Sequence, residues 1–415
     1  MRCAIAFLLC ALPGLSQNLD RVKQADTLFA AYGPNTPGCS VGVAQNGTTL
    51  LSKSYGTASL ELPQALTTTS VFYMASIAKQ FIAFSILLLE EDGKLKLDDA
   101  VRKYIPELPA YANGVTLRHL LHHTSGVRDF LTMGRLAGDS TDYVWTPRGL
   151  RDALARQKAL NFAPGAEFLY SNTGYVLLSW VIEKVTGRRL NDWSQERIFK
   201  PLGMTSTRWQ QDHSDVLPNR AIGHVPRDSG WRIANSMLDV VGDGGLYSTI
   251  EDMLRWNANY ESPKIGTRAL AQMQTPGKLG SGATIDPAYG MGLRMAPYRG
   301  LRTVYHGGNL GGYTAMYQRF PDQKFAAIVL CNNAGAEAAR KAEQLAEVWL
   351  GDQMKEPRPA AAAKAAAGPV LSREQNPGLA GDFYSEELNA VTHIEDQSGQ
   401  LVYVAGDWPQ GPLTQ

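Results

Sequence analysis

Ser76 and Lys79, three residues apart in the stretch YMASIAKQF (73–81), form the chemically most suggestive pair in the chain. At helical spacing both side chains leave the same face one turn apart, so an amine can stand beside a hydroxyl. A serine at the head of a helix also lies among backbone N–H groups without helical partners, at the positive end of the helix dipole. A hydroxyl there can yield its proton to a neighbouring base and attack a carbonyl, leaving an acyl group on the enzyme. The plainer account is a helix cap and a solvated lysine. Ile77, Phe81 and Ile82 flank Lys79, however, and imply a partly buried ammonium. A rival serine, Ser40, sits in Gly38-Cys39-Ser40-Val41-Gly42, which fits the G-x-S-x-G pattern of a nucleophile elbow. An elbow needs a buried strand before the serine and a helix straight after it. Ser40 instead follows the turn-rich YGPNTPG and enters an alternating strand. It reads as a strand residue.

Two further stretches carry groups that suit such a nucleophile. In FAPGAEFLYSNTGYVLLSWVIEKVTG (162–187), Tyr170-Ser171-Asn172 stands just before an apolar helix. A phenol beside an ammonium is pushed toward the phenolate and can act as general base. Asn172 can donate to a substrate carbonyl and accept from Lys79. A second Tyr-x-Asn, Tyr111-Ala112-Asn113, opens no long helix and reads as a loop. In RTVYHGGNLGGYTAMYQRFP (302–321), His306 ends an alternating strand and is followed by Gly307 and Gly308. Glycine lets backbone approach a ligand closely, and a free strand N–H beside the nucleophile supplies half of an oxyanion hole.

These groups need a scaffold that joins residues 76, 170 and 306. Residues 18–32 read as helix. Alternating runs at 39–45 and 48–55 flank Asn46-Gly47, a strong hairpin signal. The run SIAKQFIAFSILLLEEDGKL (76–95) predicts a long helix ending near Gly93. From about 98 to 260 the pattern is one of short helices broken by Gly and Pro, at 116–122, 147–156, 173–186, 190–199 and 249–259. Strand patterns return at 289–296, 301–306, 313–319 and 324–332, and a last helix covers 335–350. The order predicts an α+β fold of the α/β sandwich type. One antiparallel sheet, built from N- and C-terminal strands, is flanked by helices and carries an all-helical insertion at about 98–260. EPRPAAAAKAAAGPV (356–370) marks an Ala/Pro-rich linker over 353–372. Residues 373–415 show short strands and turns, too few for an independent sheet, and read as a truncated β segment.

Charge excludes some partners. Lys and Arg number 40 against 39 Asp and Glu among 415 residues, without long runs, so nothing argues for nucleic acid or an anionic membrane. Residues 1–16 read as a secretory signal: Arg2, an apolar run at 4–12, and the small residues of Gly14-Leu15-Ser16. The run is shorter than the roughly 20 residues of a membrane span, so no stable membrane insertion is expected. The mature domain is expected over 17–352, exported to the periplasm or the medium. Cys39 and Cys331 then remain, and an oxidising compartment permits their pairing without sequence fixing their distance. His119, His122 and His123 have ligand-like spacing, but the Glu of H-E-x-x-H and a third ligand are missing, so no metal is expected.

Ser-x-x-Lys, Tyr-x-Asn and His-x-Gly occur in this order, together with LRHLLHHTSGV (117–127), GDGGLYSTIEDMLRW (242–256) and GMGL (290–293). Over about 27–350 the chain resembles the β-lactamase-like serine hydrolases, which include class C β-lactamases, DD-peptidases, D-aminopeptidases and related carboxylesterases. The resemblance implies that Ser76 forms an acyl-enzyme and that Lys79 and Tyr170 share the proton traffic as a coupled pair. It implies that Asn172 orients substrate and Lys79, that His306, Gly307 and Gly308 flank the substrate, and that the backbone N–H groups of Ser76 and Asn309 form the oxyanion hole. The histidines of 117–127 are structural in that pattern, and no cofactor is implied. Substrates would be small esters, peptides or β-lactams. One departure matters: β-lactamases usually open the strand motif with a lysine that meets the β-lactam carboxylate, whereas histidine is mostly neutral near pH 7. That points to an esterase or D-amino acid peptidase with at most weak β-lactamase activity. A DD-carboxypeptidase, a true β-lactamase, or a non-catalytic binding protein on the same scaffold are the alternatives. The resemblance also places the first strand antiparallel to the last, which makes a Cys39–Cys331 bridge sensible, and likens residues 373–415 to the start of a lipocalin-like domain.

Overall fold

The computed structural model describes residues 13–140, 142–358, 370–404 and 411–412. The expected secretory signal lies outside the described residues as far as residue 12, as does most of the linker, 359–369. The central sheet is antiparallel, with strands β1 (Cys39–Gln45), β2 (Thr48–Tyr55), β3 (Arg294–Tyr298), β4 (Leu301–Leu310), β5 (Tyr313–Phe320) and β6 (Phe325–Cys331). Its order is β3-β4-β5-β6-β1-β2, so the first strand does lie against the last. Asn46 and Gly47, with φ of 51° and 76°, make the tight turn between β1 and β2. Cys39 faces Cys331 across the β1–β6 pairing, and the two are joined by a disulfide.

Among the helices that cover the sheet or fill the insertion are α1 (Pro13–Leu28), α2 (Lys79–Glu91), α3 (Leu117–Leu121), α4 (Phe130–Ala137), α5 (Pro147–Arg156), α6 (Asn172–Thr186), α7 (Ile250–Glu261) and α8 (Ala338–Leu350). Side chains along a strand alternate between faces, and here both faces are buried. Phe325, Ala327 and Val329 join a core with α1 and α8, including Phe29, Leu345 and Trp349. Ile328 and Leu330 point the other way, into the larger core shared with α2, α6 and α7. Because α2 is buried around nearly its whole circumference, from Lys79 to Leu89, its sequence is apolar on every face. Each of its buried Leu, Ile and Phe side chains contributes about 2 kcal/mol, which offsets the cost of seating one lysine among them.

The insertion is mainly helical but also holds short strands. Leu246–Ser248 pairs with Arg208–Trp209 on one side and, on the other, with Phe72–Tyr73 from outside the insertion, and His224–Pro226 pairs with Trp231–Ile233. Two- and three-residue strands carry too little alternation to show in a sequence. In the tail, β7 (Gly381–Ser385), β8 (Ala390–Gln397), β9 (Gln400–Val404) and β10 (Gly411–Pro412) pair in order as an antiparallel sheet. The sequence reading expected short strands there but too few residues for an independent sheet, and the sheet that forms is not independent. Two features hold it: the Ser398-Gly399 turn, with φ of 58° and 84°, closes β8 onto β9, and the sheet leans on α4 and α5. The Tyr403 hydroxyl donates to the Leu136 carbonyl, and the Lys158 amide donates to the Glu387 carboxylate at 2.7 Å.

Candidate active site

Ser76 lies in a 3-10 turn, Ala75–Ala78, that runs straight into α2. Ala75, just before it, adopts a left-handed backbone with φ of 43°, a conformation that costs an L-residue about 1–2 kcal/mol. Strand β4 presses on this turn: a Cβ at Gly308 would stand 2.4 Å from the Met74 carbonyl oxygen and 3.1 Å from Ala75 Cβ. Only glycine permits that approach.

Lys79 is wholly buried, and its Nζ is held by three acceptors: Ser76 Oγ at 3.0 Å, Asn172 Oδ1 at 2.8 Å and the Asp243 carbonyl at 2.8 Å. Tyr170 is half-buried and presents its ring to the amine, with Nζ 4.9 Å from the ring centroid. Its phenol oxygen is not among the hydrogen-bond partners of Lys79. Such contacts often tighten only once substrate is present. Asn172 opens α6, and its backbone N–H donates to Asp129 Oδ1 at 2.7 Å. Ser40 is elsewhere, buried in β1 with its hydroxyl 2.7 Å from that of Ser54 and no helix after it.

His306 is buried on β4, with Nδ1 2.7 Å from the Gly307 carbonyl and Nε2 3.2 Å from the Tyr289 hydroxyl. A carbonyl only accepts, so Nδ1 carries the proton and Nε2 accepts from Tyr289. Burial, with the positive charges of Lys79 and Arg294 adding to it, pushes the His306 imidazolium pKa down to about 3. His306 is therefore neutral at physiological pH. The cation facing this cleft is Arg294 of β3, whose guanidinium lies 5.5 Å from the Tyr170 ring centroid. Among the described residues no carboxylate pairs with it. Ser76, Tyr170, Arg294, His306 and Asn309 line a cleft of about 630 Å³. Strand β3 covers the edge of β4 only at residues 301–305, so 306–310 extend beyond it.

The sequence singled out Ser76, Lys79, Tyr170, Asn172, His306, Gly307, Gly308 and Asn309, and the structure gathers them around one cleft or directly behind it. His119, His122 and His123 form no metal cluster among the described residues. His119 Nδ1 accepts from the Thr116 amide in a capping box, and His123 Nδ1 accepts from the Ser171 amide at 3.1 Å beside the Tyr170 ring. Burial lowers His122 to about 4 and, with Lys79 nearby, holds His123 well below its ordinary value. Sequence reasoning missed Arg294, Asp129 and Asp243. An Asp ahead of an apolar run signals a helix cap and could have flagged Asp129. Asp243 lay inside a quoted motif without a role. Nothing local marks Arg294.

Comparison with known proteins agrees with this arrangement. Residues 25–348 match the family model described as Beta-lactamase. The chain belongs to the Beta-lactamase family. It is 33% identical over 326 residues to a penicillin-binding protein of Bacillus subtilis strain 168, covering 75% of this chain and 71% of that one. To the D-aminopeptidase of Brucella ovis it is 29% identical over 366 residues, 88% of this chain and 66% of the relative. It thus spans about two thirds of these relatives' lengths. The solved octameric penicillin-binding protein homologue of Pyrococcus abyssi superposes with a TM-score of 0.69 at 24% identity, over 96% of this chain and 90% of that chain. The likeness shows the shared fold. Membership of the Beta-lactamase family makes this chain a serine hydrolase.

Proposed function

We propose that the protein is an exported hydrolase that cleaves ester or amide bonds through an acyl-enzyme on Ser76. The carrying observation is the Lys79 amine within hydrogen-bonding distance of both Ser76 Oγ and Asn172 Oδ1. In acylation the Lys79–Tyr170 pair starts one proton short, as amine with phenol or as ammonium with phenolate, and takes the Ser76 proton while Oγ attacks the carbonyl carbon. The carbonyl oxygen, now anionic, is taken up by the N–H groups of Ser76 and Asn309. The same pair returns the proton to the departing alcohol or amine. A water then gives its proton to the pair and its oxygen to the acyl carbon, releasing the acid and restoring the Ser76 hydroxyl.

Arg294 favours a D-amino acid peptidase or DD-carboxypeptidase over a simple esterase, because a guanidinium in the cleft that pairs with no carboxylate among the described residues suits a substrate carboxylate. The D-aminopeptidase and penicillin-binding relatives support the same substrate class. A neutral His306 argues against efficient β-lactam turnover. Export is supported by the leader-like residues 1–16 and by the disulfide, which persists in oxidising compartments. Ser76→Ala is expected to abolish both hydrolysis and labelling by a fluorophosphonate, with melting nearly unchanged; a variant that still turns over at the wild-type rate refutes the mechanism. A panel of p-nitrophenyl esters, nitrocefin and D-amino acid p-nitroanilides separates the branches.

A further inference from the structure

Residues 128–130 are stitched to the start of α6 by three hydrogen bonds. Asn172 N–H donates to Asp129 Oδ1 at 2.7 Å, the Thr173 hydroxyl donates to the Arg128 carbonyl at 2.7 Å, and the Phe130 amide donates to Thr173 Oγ1 at 2.8 Å. The other Asp129 oxygen, Oδ2, accepts from the Thr132 amide and hydroxyl, both at 3.0 Å. One carboxylate thus joins the N-termini of α4 and α6, the two positive dipole ends nearest Asn172. Whatever holds residue 128 therefore bears on Asn172 and, through it, on Lys79.

What holds residue 128 comes from the tail. In the β7–β8 turn, Glu387 Oε2 pairs with Arg128 Nη1 at 3.0 Å, and the two side chains are only 26% and 28% exposed. Gln157, at the end of α5, completes the joint: its Oε1 accepts from Arg128 at 2.9 Å and its Nε2 donates to the Glu387 carbonyl at 2.9 Å. The Lys158 amide and Arg128 together hold the Glu387 carboxyl below its ordinary range. The neighbouring Lys158–Glu386 pair is different, exposed at 68% and 72%, where an ion pair contributes little. Leu388 packs on the main core beside the joint.

We infer that Glu387 and Arg128 are positioning residues for Asn172: the C-terminal sheet braces the Arg128–Asp129 turn and thereby fixes the Ser76–Lys79–Asn172 geometry. The inference rests on the Ser76 reading above, and its test separates the two. Displacing catalytic groups by a fraction of an ångström lowers turnover far more than binding, so Glu387→Gln should cut kcat about tenfold with KM within about twofold. The rate of fluorophosphonate labelling at Ser76 should fall in parallel, with melting close to wild type. Glu386→Ala, which removes the exposed pair, should leave all three measurements at wild-type values. Arg128→Gln should resemble Glu387→Gln, and the double variant should lose no more than the worse single one, because both act through one joint. If Glu387→Gln folds normally and keeps wild-type kcat and labelling, or if Glu387→Gln and Arg128→Gln combine additively, the brace is refuted. Activity surviving in Ser76→Ala, run alongside, would instead refute the serine mechanism whatever Glu387 does.

Discussion

Lys79 is seated by a carbonyl whose own residue carries a buried acid. Asp243 is enclosed, one of its carboxylate oxygens has no hydrogen-bond partner among the described residues, and burial raises its pKa to about 6, against the opposing pull of Lys79. Unfolded, the same carboxyl titrates near its ordinary 3.8. Between about pH 4 and 6 the folded chain keeps a proton that the unfolded chain has released, so stability falls as pH rises through that window and the loss is complete above it. The difference is equivalent to about 3 kcal/mol. His306 and His122, depressed to about 3 and about 4, work in the opposite sense. Their unfolded forms take up protons below about pH 6.5, so their contribution grows with pH to that point. Wild-type stability sums these opposing trends, and only a difference isolates Asp243. Asp243→Asn keeps the carbonyl that holds Lys79 and removes the charge. Its melting temperature relative to wild type should therefore rise on going from pH 4 to pH 7. Melting curves at several pH values check this, and an offset that does not change with pH would show that Asp243 does not titrate there.

At the next level up, catalytic geometry is set by how closely β4 meets the turn before α2. A long apolar helix supplies the wall and a strand with paired glycines supplies the approach; the contact at Gly308 fixes their spacing. Alanine there would put a methyl group 2.4 Å from the Met74 carbonyl oxygen, a backbone atom that cannot rotate aside. Strand or turn must shift, and a displacement of about 1 Å costs roughly a hundredfold in rate. Gly308→Ala is expected to lower kcat/KM by about that factor while far-ultraviolet circular dichroism keeps its wild-type shape, since no helix or strand loses its sequence signal. Steady-state kinetics with a p-nitrophenyl ester measure the first and dichroism the second. Wild-type turnover would mean that the approach is looser than it stands here. Elements with strong local patterns were legible in advance: the 39–55 hairpin, the long helix after Ser76, and strands at 301–306 and 313–319, although the first of these strands runs on past His306 through the glycines to Leu310. Helix α4 was not, being eight residues long and dependent on the Asp129 cap at its start.

Over the whole chain, what could be read from sequence follows how far apart the partners lie. Ser76 and Lys79 declare themselves because one helical turn separates them, and Tyr170 and Asn172 because they share one turn ahead of a helix. Arg294 and Glu387 gain meaning only from a partner more than a hundred residues away, and no local pattern records such a meeting. Cys39 and Cys331 are the extreme case, 292 residues apart yet facing one another across β1 and β6. Neither lines the catalytic cleft. Closing so long a loop restricts the unfolded chain, and the chain-entropy account assigns a bond of this span about 6 kcal/mol as an upper figure. The bond fastens the two ends of the main domain, so it should resist unfolding without touching the chemistry. The double variant Cys39→Ser/Cys331→Ser is expected to lose about 2–5 kcal/mol in urea denaturation and to keep kcat at temperatures below its transition. Reductant should lower the wild-type midpoint toward that of the variant and leave the variant unmoved. Equal midpoints with and without reductant would show that the fold draws nothing from joining its first strand to its last.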